Sequence, residues 1–317
     1  MPHTDPPAKI AARTITLWKL RSCAVKLGRR TLVMGIINIT PDSFSDGGRF
    51  LAPEDAVARA LHLLDEGADL LDLGAESTRP GSRAGGAVNT AQAPAVSAAE
   101  EQARLLPVIE GILQERPQAI LSIDTYKSAT ARAACRAGAE IVNDVSGFLW
   151  DPEMASVCAQ AGCGVVLMHT RGRPEEWSAQ PQLSASELLA AVRSGLEQSL
   201  SQAAAARIDP ASIVLDPGYG FGKRFDENYA LLARQQELLG LGHPLLVGLS
   251  RKSFLGRTLA PLHKGVDAPA AERETAGIAA LVAAILHGAA IVRVHAVRPA
   301  VEAARIADAL LAAAGGE

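Results

Sequence analysis

Short apolar runs that end in a polar residue recur along the chain. Four of them follow a helix-like stretch that ends in glycine, and these runs span residues 70–73, 141–144, 165–169 and 291–295. The glycines are Gly67, Gly138, Gly162 and Gly288. A glycine just past a helix supplies a left-handed cap, and an unbroken aliphatic run of this length is typical of a strand buried on both faces. The pattern therefore predicts the helix-to-strand half of a repeated β-α-β unit.

Four further runs of the same kind, at residues 32–38, 119–124, 213–216 and 245–250, bring the predicted strands to eight. Helix-like segments such as 54–66 and 188–206 separate them, which requires parallel pairing and right-handed crossovers. We therefore predict an α/β fold, a single parallel (β/α)8 TIM barrel, in preference to an open doubly wound sheet with similar local patterns. Two segments, 81–98 and 259–269, are predicted to be mobile surface loops.

Composition and charge narrow the functional classes. Of the 317 residues, 48% are hydrophobic and 4% aromatic, so the expected core is aliphatic, and the net charge of −3 offers no basic stripe for nucleic acid or an anionic membrane. We recognise no signal peptide, no membrane span and no metal-binding cysteine spacing, so we expect a cytoplasmic protein with reduced thiols. Residues 1–30 are expected to be a leader, partly disordered or in short strands, before one barrel domain at 31–317.

Polar side chains stand at the end of every predicted strand, where the active site of a barrel of this kind forms. They are Asn38, Asp72, the segment 76–79, Asp124, Asn143, His169, Asp216, the segment 250–253, Arg293 and His295. One such residue alone would be an ordinary turn former or helix cap. Together, at one end of one barrel, they indicate a polar pocket.

The residue types in this pocket indicate its ligand. Asp124, Asn143 and Asp216 supply carboxylates and an amide, which suit a heterocycle with amino and amide edges, such as a pteridine. The cationic or protonatable members are Arg79, Arg293 and His295. Together with the neutral Asn38, these side chains suit a diphosphate with a hydrated magnesium ion. The combination predicts a reaction in which diphosphate is the leaving group.

Two loop motifs complete the pocket. Residues 250–253 place positive charge where a helix is expected to start, and because that charge opposes the helix dipole, the motif predicts an anionic ligand such as a carboxylate. Residues 216–223 superficially resemble a nucleotide-binding loop, but the spacing before Gly222 and Lys223 is too short for a P-loop. The glycines instead predict a sharp turn that presents Phe221 to the pocket, with a purely structural turn as the alternative.

These motifs carry a family resemblance. Residues 34–48 closely resemble the first signature of the dihydropteroate synthases, a family of pterin-binding enzymes. The segments 76–81, 122–125, 143–144, 215–223, 246–256 and 293–295 are similar to the remaining family motifs, in the same order. The resemblance implies a transferase of folate biosynthesis that condenses (7,8-dihydropterin-6-yl)methyl diphosphate with 4-aminobenzoate.

The resemblance also implies roles for individual residues. The implied pterin-binding residues are Asp124, Asn143, Met168, Asp216 and Lys252. The implied diphosphate-binding residues are Asn38, Thr78, Arg79, Arg293, Val294 and His295, and Asn38 would also bind Mg²⁺. The implied aminobenzoate-binding residues are Phe44, Pro80, Phe221, Arg251 and Ser253. Catalytic roles fall to Asp124, Lys252 and Arg293. Sulfonamides would compete with aminobenzoate, and the implied assembly is a homodimer.

Two features of the sequence depart from the family pattern. Ala75 stands where the family usually has glycine, which we expect to be tolerated if the φ angle there is negative. The segment 81–100 is longer than in compact members of the family.

Two other functions stay open. A methyltransferase that uses methyltetrahydrofolate and a corrinoid would share the pterin contacts, and a catalytically silent paralogue would bind pterin without turnover. Diphosphate release in the presence of both substrates separates these functions.

Overall fold

The computed structural model describes residues 13–40, 52–76 and 96–314. Within them, a short antiparallel hairpin precedes a closed barrel of eight parallel strands. The hairpin consists of β1 (Thr16–Lys19) and β2 (Ala24–Leu27). The barrel strands are β3 (Leu32–Asn38), β4 (Leu70–Gly74), β5 (Leu121–Asp124), β6 (Ile141–Asp144), β7 (Gly164–Met168), β8 (Ile213–Asp216), β9 (Leu245–Val247) and β10 (Ala289–Val294). Because β10 pairs with β3, the sheet is closed, which confirms the barrel over the open sheet.

Helices connect the strands on the outside of the barrel. They are α1 (Pro53–Asp65), α2 (Ala98–Glu115), α3 (Ser128–Ala137), α4 (Met154–Ala161), α5 (Ala185–Ala205), α6 (Phe225–Arg234), α7 (Ser253–Thr258), α8 (Glu274–Leu286) and α9 (Val297–Ala314). Capping boxes at Ser97 and Ser184 start α2 and α5. The four glycines that were predicted to lie beyond helix ends all have positive φ angles, from +63° at Gly162 to +116° at Gly138.

Two predicted segments differ from the structure. The run 245–250 forms a strand only as far as Val247, after which the chain turns. The segment 259–269 was predicted to be a surface loop, but it contains a 3-10 turn over Ala260–His263. Ala268 in that segment is fully buried, and its amide donates to Gly256 O at 3.0 Å. Most of the other predicted loop, residues 81–95, lies outside the described residues.

Apolar side chains fill two layers of the molecule. The larger layer lies between the barrel and its helices and includes Leu63, Leu105 and Ile285. The smaller layer lies inside the barrel, towards the amino-terminal ends of the strands. There the side chains that point inwards pack against one another. These residues include Met34, Leu70, Ile141, Val166, Val214, Leu246 and Ile291. The polar positions follow them towards the carboxyl ends of the same strands.

The hairpin closes the amino-terminal end of the barrel. Trp18 is 1% exposed and packs with Leu20 and Leu27 against the inner layer. The Trp18 indole Nε1 donates to Ser212 O at 2.9 Å, immediately before β8. Gly164 has no side chain, and a Cβ there would lie 2.5 Å from Leu20 Cδ2. This end of the barrel is therefore filled by side chains, and the polar residues gather at the other end.

Candidate active site

An ionic cluster centred on Asp72 spans the mouth of the barrel. The Asp72 carboxylate is fully buried and accepts hydrogen bonds from Ser122 Oγ at 2.6 Å, Asn143 Nδ2 at 3.1 Å and Arg293 Nε at 2.5 Å. The Arg293 Nη2 donates to Asp124 Oδ2 at 2.7 Å. The parallel register places these residues on neighbouring strands, since Asp72 lies opposite Ser122 and Asp124 lies opposite Asn143. The cluster thus brings together four residues that were predicted to lie in the pocket, Asp72, Asp124, Asn143 and Arg293.

Burial and neighbouring charges shift the pKa values of this cluster in opposite directions. Burial raises the pKa of Asp124 to about 7, with Arg293 opposing the rise and Asp72 adding to it. Burial alone would lower the pKa of Arg293, but the Asp72 and Asp124 carboxylates more than offset it, and that pKa is raised. The guanidinium therefore stays charged, and Asp124 titrates close to neutral pH.

Asp216 lies at the end of β8, beside Met168 of β7 in the parallel register. Its Oδ1 accepts a hydrogen bond from the amide of Gly218 at 2.7 Å. Burial raises the pKa of Asp216, although that hydrogen bond and the nearby Lys252 and Lys223 oppose the rise. The Lys252 Nζ lies 3.9 Å from the centre of the Phe221 ring. A buried carboxyl group, an ammonium group and an aromatic face thus lie close together at this part of the mouth.

The glycine-rich loop after β8 has the sharp turn that was predicted. Gly218 has φ +69°, and a Cβ there would lie 1.9 Å from His169 O. Gly222 has φ +67°, and a Cβ there would lie 2.7 Å from Arg171 Cβ. Both positions therefore exclude any side chain. The turn brings the Phe221 ring edge-on against Trp177, with 5.3 Å between ring centres.

The loop after β9 lies beside the loop after β8 and contacts the end of β10, because β9 pairs with both strands. The Ser250 hydroxyl lies 3.0 Å from His295 Nδ1 and also accepts a hydrogen bond from the amide of His295. Arg251 has φ +61°, and its carbonyl accepts from Arg273 Nη1 at 2.9 Å. Helix α7 begins at Ser253 rather than at Ser250 and has six residues. The helix dipole on which the prediction of an anionic ligand relied is therefore small, because α7 is so short.

Asn38 ends β3 and lies opposite Gly74 of β4. The amide of Ile39 donates to Gly74 O at 2.7 Å, which holds this strand end. Ala75 follows, and its φ angle is not positive, which meets the condition under which alanine was expected to be tolerated there. The remaining predicted site residues, Phe44, Thr78, Arg79 and Pro80, lie outside the described residues.

A second network was not anticipated from the sequence. The Lys127 Nζ pairs with Glu76 at 2.5 Å and with Glu101 at 3.3 Å. The Thr130 hydroxyl donates to the buried Glu101 carboxylate at 2.7 Å, and burial raises the pKa of Glu101. Glu76 Oε1 also accepts from the amide of Val96 at 3.2 Å. The sequence signal that could have revealed it is Glu101, an acidic residue on the buried face of α2, where a charge normally requires a partner.

The fold and this site define an enzyme of the parallel (β/α)8 barrel class, with ionisable side chains paired at the carboxyl ends of the strands. Residues 34–295 match the family described as pterin binding enzyme. The chain is 41% identical over 288 residues to the dihydropteroate synthase of Bacillus subtilis, covering 91% of each chain. It is 45% identical over 284 residues to that of Mycobacterium leprae, covering 88% of this chain and 93% of the relative.

Solved structures agree with these relatives. A Yersinia pestis dihydropteroate synthase in complex with a sulfonamide drug superposes with a TM-score of 0.82 at 37% identity, over 94% of this chain and 100% of the other. A Burkholderia cenocepacia dihydropteroate synthase complexed with 7,8-dihydropteroate gives 0.78 at 36% identity, over 96% and 100%. The chain therefore belongs to the dihydropteroate synthases of the pterin-binding enzyme family, which are transferases of folate biosynthesis.

No helix among the described residues is long and apolar enough to cross a membrane.

Proposed function

We propose that this chain joins (7,8-dihydropterin-6-yl)methyl diphosphate to 4-aminobenzoate at the mouth of the barrel, with release of diphosphate. The observation that carries the proposal is the ionic cluster of Asp72, Arg293 and Asp124 beside Asn143, in which Asp72 is fully buried and the other two charges are mostly buried. Such a cluster is costly to bury and offers both signs of charge in a confined space. Relatives solved with 4-aminobenzoate, from Xanthomonas albilineans, and with 7,8-dihydropteroate, from Burkholderia cenocepacia, support these substrates.

The pterin subsite lies deepest in this proposal. Asp216 and Asn143, buried at 6% exposure each, offer a carboxylate and an amide to the amino and amide edge of the ring. Met168 lies beside Asp216 in the register and supplies an apolar face. Asp124 and Lys252 complete the set. The amino and amide edge of a pterin carries several hydrogen-bond donors. An ionised Asp216 would therefore bind this edge more tightly than a neutral side chain would.

Asp124 is the residue we place next to the reacting carbon. The bond between the pterin methylene carbon and the diphosphate oxygen breaks first, so positive charge develops on the pterin. An ionised Asp124 stabilises that charge, and the Arg293 guanidinium, 2.7 Å away, favours its ionised form. The aminobenzoate nitrogen then bonds to the carbon and loses one proton. Arg293, Val294 and His295 lie on the side that receives the departing diphosphate, and no side chain acts as nucleophile in this sequence of steps.

The aminobenzoate subsite is proposed between the loops after β8 and β9. Phe221 would contact the ring, while the side chains of Arg251 and Ser253 would bind the carboxylate. A sulfonamide has a planar aniline of similar size and should compete for the same subsite. Raising the aminobenzoate concentration should relieve the inhibition. A sulfonamide that competes only with the pterin substrate would contradict this placement.

Family membership implies Mg²⁺, and Asn38 is the residue we propose to bind it. Mg²⁺ keeps several waters and is commonly held by one or two protein oxygens together with substrate phosphates. Asn38 is the half-buried last residue of β3, and its amide oxygen is a hard donor of the kind that Mg²⁺ accepts beside phosphate oxygens. When bound, Mg²⁺ would neutralise diphosphate charge. Calorimetry of diphosphate binding to Asn38→Ala should show a smaller magnesium dependence than the unsubstituted protein.

The assembly is proposed to be a homodimer. Leu262 and Val266, near helix α7, are 80% and 68% exposed. The sequence of α8 is apolar on nearly all sides, with Val282 and Leu286 only partly covered within one subunit. Exposed apolar surface of this kind favours burial against a second copy. A cytoplasmic location is also proposed, since all four cysteines carry free thiols, as is usual in reducing compartments.

Diphosphate release tests the proposed function directly. With both substrates and Mg²⁺ present, the protein should release one diphosphate for each dihydropteroate formed, and leaving out either substrate should abolish dihydropteroate formation. The variant Asp65→Asn, which removes an exposed charge on α1, should retain full turnover and serves as the control for any substitution in the site. A protein that binds the pterin but releases no diphosphate with both substrates present would be a silent paralogue, and the proposal would be wrong.

A further inference from the structure

The side chain of Lys223 is buried directly beneath the glycine-rich loop. It is 7% exposed, and its Nζ donates to three main-chain carbonyls. These belong to Gly218 at 2.7 Å, His169 at 3.2 Å and Phe221 at 3.3 Å. The His169 carbonyl lies just past the end of β7, while the other two lie in the loop after β8. The Lys223 ammonium group therefore connects the chain after β7 with the loop after β8. One of its three partners is Phe221, the residue proposed to contact aminobenzoate.

The loop after β8 is held by individual hydrogen bonds rather than by regular secondary structure. It forms no strand or helix between β8 and α6, and three of its glycines have positive φ. Besides Lys223, side chains hold it at several points. The Asp216 carboxylate accepts from the amide of Gly218 at 2.7 Å, and the Tyr219 hydroxyl donates to Gln235 Oε1 at 2.9 Å. Asn228 Oδ1 accepts from the amide of Gly220 at 2.8 Å, and Arg171 Nη1 donates to Gly222 O at 3.2 Å.

The Phe221 amide donates to Gly218 O at 3.2 Å, and its carbonyl accepts from the Arg171 amide at 3.4 Å and from Lys223 at 3.3 Å. Lys223 thus ties the carbonyls of Gly218 and Phe221, the two ends of this turn, to one cation.

We propose that Lys223 is a positioning residue for the aminobenzoate subsite, whose charged ammonium fixes the Gly218–Phe221 turn and thereby the place of the Phe221 ring. The inference rests on the proposed function, because it assigns Phe221 to aminobenzoate. Asp216 is less dependent on Lys223, since it belongs to β8 and, among the described residues, its carboxylate accepts no hydrogen bond from the lysine, whereas the Phe221 carbonyl accepts from Lys223 directly. Loss of the ammonium should therefore disturb aminobenzoate more than pterin.

The charges around Lys223 come from several elements. Asp216 of β8 and Glu227 of α6 favour its protonated form, whereas Lys252 after β9 and Arg171 after β7 oppose it. His169 also faces it, and burial together with Lys223 and Arg171 lowers the pKa of His169 well below its usual range, so that ring is neutral. Burial lowers the pKa of Lys223 to about 7. Above that pH the neutral amine has two hydrogens for three carbonyls, and one restraint on the loop is lost.

The test compares Lys223→Met, Lys223→Arg and the control Lys26→Met, whose lysine is exposed on β2 at the other end of the barrel. Lys223→Met should raise the Michaelis constant for 4-aminobenzoate about tenfold, because a small displacement of a positioning group has a large kinetic effect. The calorimetric dissociation constant for the pterin substrate should change less than about threefold. Lys223→Arg keeps the cation and donors and should recover part of the loss. Lys26→Met should match the unsubstituted enzyme.

A pH series with the unsubstituted enzyme keeps the test independent of whether the variants fold. Between about pH 6 and pH 9 the aminobenzoate carboxylate stays ionised, so a rise in its Michaelis constant would report on the protein. We expect such a rise, and a flatter profile in Lys223→Arg because arginine does not titrate there. A flat profile in the unsubstituted enzyme, or equal losses for both substrates in Lys223→Met, would overturn the proposal. Absence of turnover in the unsubstituted enzyme would instead refute the proposed function.

Discussion

The two ends of strand β8 lie in very different environments. Just before it, the carbonyl of Ser212 accepts the indole hydrogen of Trp18, within the apolar plug that the hairpin forms. At its other end, the carboxyl group of Asp216 lies among the charges of Lys223, Lys252 and Arg293. Four residues of one strand therefore separate a region built like a protein core from a region built like a binding site.

The two ends differ in what burial does to stability. At the closed end, burial of Trp18, Leu20 and Leu27 removes apolar surface from water and stabilises the fold. At the mouth, burial raises the pKa values of Asp124 and Asp216, so the ionised forms are less stable in the folded protein than in water. Such charges persist where function requires them. The comparison predicts that substitutions at the mouth reduce activity and that substitutions at the plug reduce stability.

The largest effect is expected for Asp216→Asn. The substitution keeps the shape and still accepts the Gly218 amide, but removes the charge that would bind the pterin edge, so turnover should fall about a thousandfold. The free energy of unfolding at neutral pH should stay the same or rise, because a carboxyl group with a raised pKa destabilises the fold when ionised. Steady-state kinetics and urea unfolding measure the two quantities. Asp65→Asn, exposed on α1, is the control, and a large loss of stability in Asp216→Asn would break the comparison.

The next effect is expected for Trp18→Ala. Loss of this buried side chain should lower the free energy of unfolding by about 3–5 kcal/mol. The kcat/KM of the molecules that remain folded should change less than about twofold, since the plug does not contact the mouth. Leu17→Ala on the same strand is the matched control, because Leu17 is 55% exposed and its removal should cost little. A fall in kcat/KM as large as that of Asp216→Asn would show that the two ends are not separable.

The smallest effect concerns the pH dependence of stability. The pKa of Asp124 in the folded protein is about 7, above its ordinary value of 3.8, so between these values the folded protein holds a proton that the unfolded chain has lost. Stability should therefore fall as pH rises from about 4 to about 7 and then level off. Asp124→Asn should lack this contribution. Urea unfolding of both proteins across this range should give curves that diverge as pH rises, and parallel curves would contradict the assignment.

Most of the fold could be predicted because its determinants are local. Runs such as 32–38 and 213–216 became strands with the predicted bounds, since uninterrupted aliphatic sequences suit strands buried on both faces. The run 245–250 was wrong at its end, because Gly248 and the residues after it turn towards α7. The hairpin's contacts also escaped prediction, because the packing of Trp18 against Ser212 joins residues 194 positions apart.

The candidate site was predictable in composition but not in its pairings. The strand-end rule brought Asp124, Asn143 and Arg293 to one pocket, and the structure confirms that they meet. It could not show that Asp72 links them, because that depends on the relative register of four strands. The buried position of Lys223 was likewise invisible, since a lysine after a glycine-rich turn is ordinarily solvated.

The double variant that combines Trp18→Phe with Asp216→Asn tests the separation of the two ends most directly. Ser212 and Asp216 lie roughly 13 Å apart along the strand, at about 3.3 Å per residue, so independent effects should add within about 0.5 kcal/mol. We predict that the double variant has the unfolding free energy expected from the two single changes and the kcat/KM of Asp216→Asn alone. A deviation from additivity above about 1 kcal/mol in either quantity would show that plug and mouth are coupled, and would contradict the account.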